Sequence, residues 1–90
     1  MNKLNLDWLT VVVKGGANRH RLRIMLSLIE NPDQSVTDLA DELKINFRTA
    51  SEHTRKLSQA GLISKKYQSS FMTHHITPLG RKFIKTLSAL

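Results

Sequence analysis

Residues 46–63 read NFRTASEHTRKLSQAGLI and are crowded with side chains that hydrogen-bond or carry charge. Arg48, Thr49, Ser51, Glu52, Arg55, Lys56 and Gln59 cover most of the stretch. Phe47, Ala50, Leu57 and Ala60 recur between them at helical spacing, with His53 filling the gap. The chemistry on offer is hydrogen bonding and the pairing of anions. It is not catalysis: the chain has no Gly-rich phosphate loop, no carboxylate pair in a plausible cleft and no Ser/His/Asp arrangement at a strand-to-helix turn. No enzyme activity is expected. A solvated helix face is served by Glu and Lys in any order, so the crowding of donors and acceptors at the starting end calls for an explanation from the surrounding elements.

The four histidines raise metal binding as a second chemistry. His74 and His75 are adjacent in a predicted strand and point to opposite faces, so they do not easily share one ion. His53 falls on the inner side of its helix, as a packed residue. Cysteine is absent, which removes thiolate sites and disulfides together. No metal or other cofactor is expected.

The chain has 90 residues, enough for one domain, 1–90, with a modest core. Its 14 Lys+Arg against 7 Asp+Glu give a net charge of +7. That excess favours polyanions, nucleic acid before an anionic membrane surface. No stretch approaches the roughly 18 apolar residues of a membrane span. The N-terminus MNKLNLDWLTVVVKGG lacks the small-residue cleavage site of a signal peptide. With no cysteine in the chain, a cytoplasmic location is expected.

The elements that must position residues 46–63 follow from sparse punctuation. A helix is predicted over 6–13, closed by Gly15-Gly16, although its Val run would also suit a strand. A second helix spans 18–30, with Leu22, Met25, Leu26 and Ile29 as its stripe and Ile24 and Leu28 widening it. Asn31-Pro32-Asp33 is a turn. A short third helix covers 37–43, with Thr37 as cap and Asp38 in the first turn. The fourth, 46–60, is capped by Asn46 and ends at Gly61. Residues 62–67 and 71–76 read as a hairpin joined by Gln68, Ser69 and Ser70. The last helix covers 78–89, with Thr77 as cap and Pro78 at its first position. Only Lys44-Ile45 separates the third and fourth helices, so the two must cross steeply, as in a helix-turn-helix.

The residues in this order resemble a known pattern. Leu39, Ala40, Leu43, Ile45 and Ala50 match the apolar skeleton of a helix-turn-helix, with Lys44 where many such motifs carry Gly. RLRIMLSLIE and VTDLADELKINFRTASEHTRKLSQAGLI resemble the winged helix-turn-helix regulators of the ArsR type, and ITPLGRKF after the hairpin looks more like the MarR type. ArsR-like proteins often sense metals through Cys or acid/His sets on their terminal helices, and RKFIKTLSAL has no His and no carboxylate.

The resemblance implies a mainly α fold with a small β-hairpin, in the order helix, helix, helix, helix, hairpin, helix. It implies a homodimeric regulator of transcription that binds specific double-stranded DNA. Residues 46–60 would then be a recognition helix in the major groove and 64–72 a wing on the backbone. The implied contacts are Thr37, Asn46, Arg48, Thr49, Ser51, Glu52, Arg55 and Lys56, with Lys65, Lys66, Gln68, Ser69 and Ser70 from the wing. Arg48 can pair with a guanine, while Glu52 can accept from a cytosine or steer a neighbouring Arg. Residues 1–14 and 78–90 are the implied dimerisation segments, through Leu6, Trp8, Leu9, Val12, Phe83, Ile84 and Leu87. The rival readings are a winged helix that binds protein and one that binds RNA. Neither an effector nor an operator is legible.

Overall fold

The computed structural model describes residues 5–90. The first four positions of the 1–14 segment lie outside the described residues. The elements are α1 (Leu6–Gly16), α2 (Arg19–Glu30), α3 (Val36–Leu43), α4 (Phe47–Gln59), β1 (Ile63–Gln68), β2 (Phe71–Ile76) and α5 (Pro78–Ser88). Type and order match the expectation from sequence.

Each helix starts where a short polar side chain can accept from its free N–H groups. Asn5 accepts from Trp8 N at 3.0 Å, and Asn18 from His20 N and Arg21 N at 2.9 and 3.2 Å. Asn46 accepts from Thr49 N at 2.7 Å. The third helix corrects the prediction: its cap is Ser35, not Thr37. The Ser35 hydroxyl accepts from Asp38 N at 3.1 Å, and the Asp38 carboxylate accepts from Ser35 N at 3.0 Å. This reciprocal box satisfies two N–H groups, which a cap at Thr37 could not match.

The Val run of α1 is helical and continues through Gly15 and Gly16. Gly15 is required by contact: a Cβ there would collide with the Cβ of Ala60, so α1 crosses α4 with almost no side chain between them. Lys44 itself takes the left-handed conformation that closes α3, at φ 58°. This costs strain that Gly would avoid, and it turns the chain into α4 within two residues.

The core is one cluster in which Ile24, Met25, Leu28, Leu39, Leu57 and Leu62 are fully buried. This rotates the predicted stripe of α2. Ile24 and Leu28 are its centre, while Leu26 is 46% exposed. The reason is that α3, α4 and the hairpin lie on the Ile24–Leu28 side, whereas Leu26 faces a shallow groove towards α5 shared with Leu22, Ile84 and Leu87. Phe47, counted in the apolar stripe of α4, is 58% exposed: it lies on a flank of the helix, whereas Ala50 in the same turn is fully buried against the core.

The hairpin pairs Ile63 with Ile76 through to Gln68 with Phe71, so Gln68 belongs to β1 and Ser69-Ser70 alone make the turn. A third short edge joins it, where His74 N donates to Gln34 O at 2.8 Å. His74 also sits 3.0 Å from Gln34 O through Nδ1. A carbonyl only accepts, so Nδ1 carries the proton and the neutral ring is free to protonate only at Nε2. Burial holds the pKa of His74 below its usual 6.5, and burial followed by the charge of Arg21 does the same for His53.

A pH dependence follows. Between these lowered values and 6.5 the unfolded chain binds more protons than the folded one. Stability is therefore complete above pH 6.5 and declines as the pH falls below it. Urea midpoints measured at neutral and mildly acidic pH check this. His74→Gln is expected to be less stable at neutral pH and to lose less on acidification, and an unchanged acid slope contradicts the assignment.

Candidate nucleic-acid interface

Helix α4 presents a buried face, an outer face and two flanks. Ala50, Thr54 and Leu57 are buried against the core. Opposite them, on the outermost line, stand Arg48, Glu52, Arg55 and Gln59, spaced at i, i+4, i+7 and i+11 and all exposed. Between these faces lie Phe47 and Ser51 on one flank and Thr49 and Lys56 on the other. Thr49 and Ser51 are half-buried, and Lys56 is exposed. The sequence-derived set is thus assembled on one surface but not equally. Gln59 lies on the outer line without having been singled out, and Phe47 adds an exposed apolar ring at the helix start. The spacing of Gln59 from Arg48 and Arg55 would have found the first, since the outer line runs straight through it.

Glu52 does steer an arginine. Arg55 Nη2 donates to its carboxylate at 3.2 Å, and this bond, followed by the arginine's charge, holds the Glu52 pKa below the usual range. The carboxylate therefore stays charged on a face otherwise made of Arg48, Arg55 and Lys56. Asn46 Oδ1 is occupied by its capping bond, which leaves its amide N–H₂ as the group able to reach outwards. Thr37 is exposed near the start of α3.

On the hairpin, Lys65 shares a face with Tyr67 and His74, while Lys66 shares the other with Ser64 and Gln68. The two lysines therefore point in opposite directions. Gln68 is tied back to Asp33 at 3.1 Å, and Asp33 also accepts from His75 at 3.0 Å. Ser69 and Ser70 are exposed at the turn, with Ser69 at φ 56°. Among the described residues no three His, Cys, Asp or Glu side chains gather to hold a metal.

At the other end, α1 and α5 border an apolar groove of about 270 Å³ lined by Trp8, Leu9, Val13, Leu79, Phe83 and Leu87. Leu6, Trp8, Val13 and Leu87 are exposed around it, whereas Val12 is already buried in the chain's own core and Val11 is exposed on the side of α1 that faces α4. Phe83 and Ile84 are half-buried against that core.

Two helices, α3 and α4, packed together across a short turn at the left-handed Lys44, a two-stranded hairpin after α4 and a closing helix define a winged helix-turn-helix. The model of the arsR family of bacterial regulatory proteins matches residues 18–65, and the chain belongs to that family. It has the fold of that family's transcriptional regulators, which are not enzymes. HlyU from Vibrio cholerae is 26% identical with a TM-score of 0.80, over 97% of this chain and 94% of that one. The transcriptional repressor PagR of Bacillus anthracis is 25% identical with a TM-score of 0.81, over 91% and 94% of the two chains. A homodimeric winged helix-turn-helix DNA-binding domain from Mycobacterium bovis shares the fold at 24% identity, with a TM-score of 0.84 over 93% of this chain and 78% of that one. A comparison with curated proteins finds no match. The MarR side of the resemblance has no support in these comparisons. No helix among the described residues is long and apolar enough to cross a membrane.

Proposed function

We propose that the protein is a homodimeric transcriptional regulator that binds specific double-stranded DNA through the outer face of α4. The observation that carries the reading is the outer line Arg48–Glu52–Arg55–Gln59, held rigid by Ala50, Thr54 and Leu57 behind it. Inserted in a major groove, Arg48 pairs with guanine O6 and N7, while Thr49 and Ser51 donate or accept. Glu52 holds Arg55 in place, and Arg55 and Lys56 meet phosphates. Phe47 offers an apolar surface to a thymine methyl group. Thr37 and the Asn46 amide contact the backbone at the start of the motif. Lys65, Lys66, Gln68, Ser69 and Ser70 lie along the backbone as a wing. No metal, cofactor or catalytic group enters this reading.

The dimer is supported by the apolar surface of α1 and α5. A groove between two terminal helices, with Leu6, Trp8, Val13 and Leu87 exposed about it, is a surface that soluble monomers rarely leave open. A two-fold axis through it covers both copies at once and sets two recognition helices about one DNA turn, roughly 34 Å, apart. The Mycobacterium bovis domain, which shares this fold, is a homodimer.

Salt dependence tests the DNA-binding reading. Affinity for duplex is expected to fall on a log–log plot with a slope of about −0.9 for each phosphate neutralised. Lys65→Ala and Lys66→Ala should weaken all sequences alike. Since the two point to opposite faces, one of them should flatten the slope by about 0.9 and the other by less. A wild-type slope near zero, with tight binding to a protein instead, sinks the reading in favour of an interaction module. Preference for structured RNA over duplex DNA favours the RNA alternative.

A further inference from the structure

Arg21 is only 9% exposed, and no carboxylate pairs with it among the described residues. Its Nη2 donates to Lys14 O at 3.2 Å, and its Nη1 lies 3.3 Å from His53 Nδ1. Its Nε has no partner. A guanidinium is always charged, and burying one beside a carbonyl and a neutral ring leaves that charge uncompensated. The surroundings add to the excess. Arg21 lines a groove of about 360 Å³ between α1, α2 and α4, together with Lys14, Lys56 and Gln59, the exposed Val11 at one side, and Gly15 and Ala60. No Asp or Glu lines this groove. The nearest acid on α4, Glu52, is already bonded to Arg55. Three cations thus converge on one concave site with no counter-charge, and one of them is fixed in place by burial.

We propose that this groove is an anion site that takes a phosphoryl group, with Arg21, Lys14 and Lys56 as its charged walls and Gln59 as a neutral donor. The tightness of the α1–α4 crossing matters here. The Cβ that Gly15 lacks would meet Ala60, so the two helices approach closely enough to bring Lys14 and Lys56 to the same opening. Both Nη atoms of Arg21 are held by Lys14 O and His53 and its Nε is buried, so Arg21 contributes a fixed positive charge at the groove wall, and the exposed Lys14 and Lys56 supply the ammonium donors. The phosphoryl group belongs either to a small phosphate ester that enters the groove or to a backbone phosphate of bound DNA. In both cases occupancy reaches α4 directly, because His53 on that helix contacts Arg21.

Inorganic phosphate titrated into the full chain at low ionic strength, followed by two-dimensional amide NMR, is the test. Saturable shifts are expected at Lys14, Arg21, Lys56 and Gln59, with none at equal ionic strength of chloride. The His53 pKa should rise, since an anion offsets the charges of Arg21 and Lys56 that now lower it. Arg21→Gln should abolish the saturable response. Arg21 also packs against its neighbours, so the exposed Lys14→Gln is the second variant, expected to weaken phosphate roughly fivefold. The first titration contains no DNA, so its failure leaves the reading of α4 untouched. Repeating it on the DNA complex separates the two sources. Retained phosphate binding identifies a free ester. Loss of binding, together with a salt slope shallower by about 0.9 in Lys14→Gln, identifies a backbone phosphate. Unsaturable shifts spread over all basic residues, or equal phosphate affinity in wild type and Lys14→Gln, overturn the proposal.

Discussion

Trp8→Asp is expected to give a folded monomer whose affinity for a two-fold DNA site is roughly 10²–10⁴ lower than that of the wild type. Trp8 is 51% exposed on α1 and caps no core residue completely, so its loss leaves the Ile24–Leu28–Leu57 core in place. In a dimer the same ring is buried against its copy across the groove between α1 and α5, and a carboxylate there is desolvated without a partner. Losing the dimer turns the second half-site contact from an intramolecular event into an intermolecular one, and the large factor comes from that change rather than from any lost DNA contact. Sedimentation and half-site binding check it together. The variant should run as a monomer and bind a single half-site as well as the wild type does. A wild type that is itself monomeric at micromolar concentration, or a Trp8→Asp chain that stays dimeric, removes the two-fold arrangement.

Gly80→Val is expected to lower stability by about 3–5 kcal/mol, enough to threaten folding of a chain this size. A Cβ at Gly80 would collide with the Leu62 carbonyl oxygen and lie 2.6 Å from Ile76 Cδ1. The oxygen cannot step aside, because it also accepts from Thr77 N at 3.2 Å and lies 3.0 Å from the Thr77 hydroxyl. The first turn of α5 is thereby locked to the base of the hairpin, and any side chain at Gly80 pries the two apart. Urea denaturation measures the loss, and a change within about 1 kcal/mol shows that α5 can shift without cost.

Much of the fold was legible because its signals are local. Asn46 and Thr77-Pro78 each announce a helix start, and the structure uses them so; it also makes Asn18, placed inside the second helix from sequence, the cap of that helix. Ser35 was missed for Thr37 although Ser-Val-Thr-Asp is itself a capping-box spacing, so the signal was present and a nearer candidate hid it. The stripe of α2 was misjudged for another reason. Leu22, Met25, Leu26 and Ile29 fit helical periodicity as well as Ile24 and Leu28 do, and only the position of α3, α4 and the hairpin decides which side is buried. Phe47 shows the same limit, because helical spacing does not tell a flank position such as Phe47 from the buried line of Ala50, Thr54 and Leu57. The α4 surface was half legible. Its polar residues were visible in order, and the divergence of Lys65 from Lys66 follows from strand alternation as that of His74 from His75 does, but the tie between Gln68 and Asp33 depends on tertiary packing. Arg19, His20, Arg21 and Arg23 crowd the first turns of α2, and from sequence they suit phosphate or pairing with acids of the same fold. Arg21 instead is buried against Lys14 O and His53 with no carboxylate, which only the packing of α1 and α4 on α2 decides.

The most direct measurement is the equilibrium affinity of wild type and Arg48→Ala for two duplexes at one salt concentration, the first selected from random DNA by the wild type and the second a scramble of it. The wild type should prefer the selected duplex, and Arg48→Ala should lose roughly 1–3 kcal/mol on it while losing less on the scramble. Equal wild-type affinity for the two duplexes would contradict sequence reading by α4.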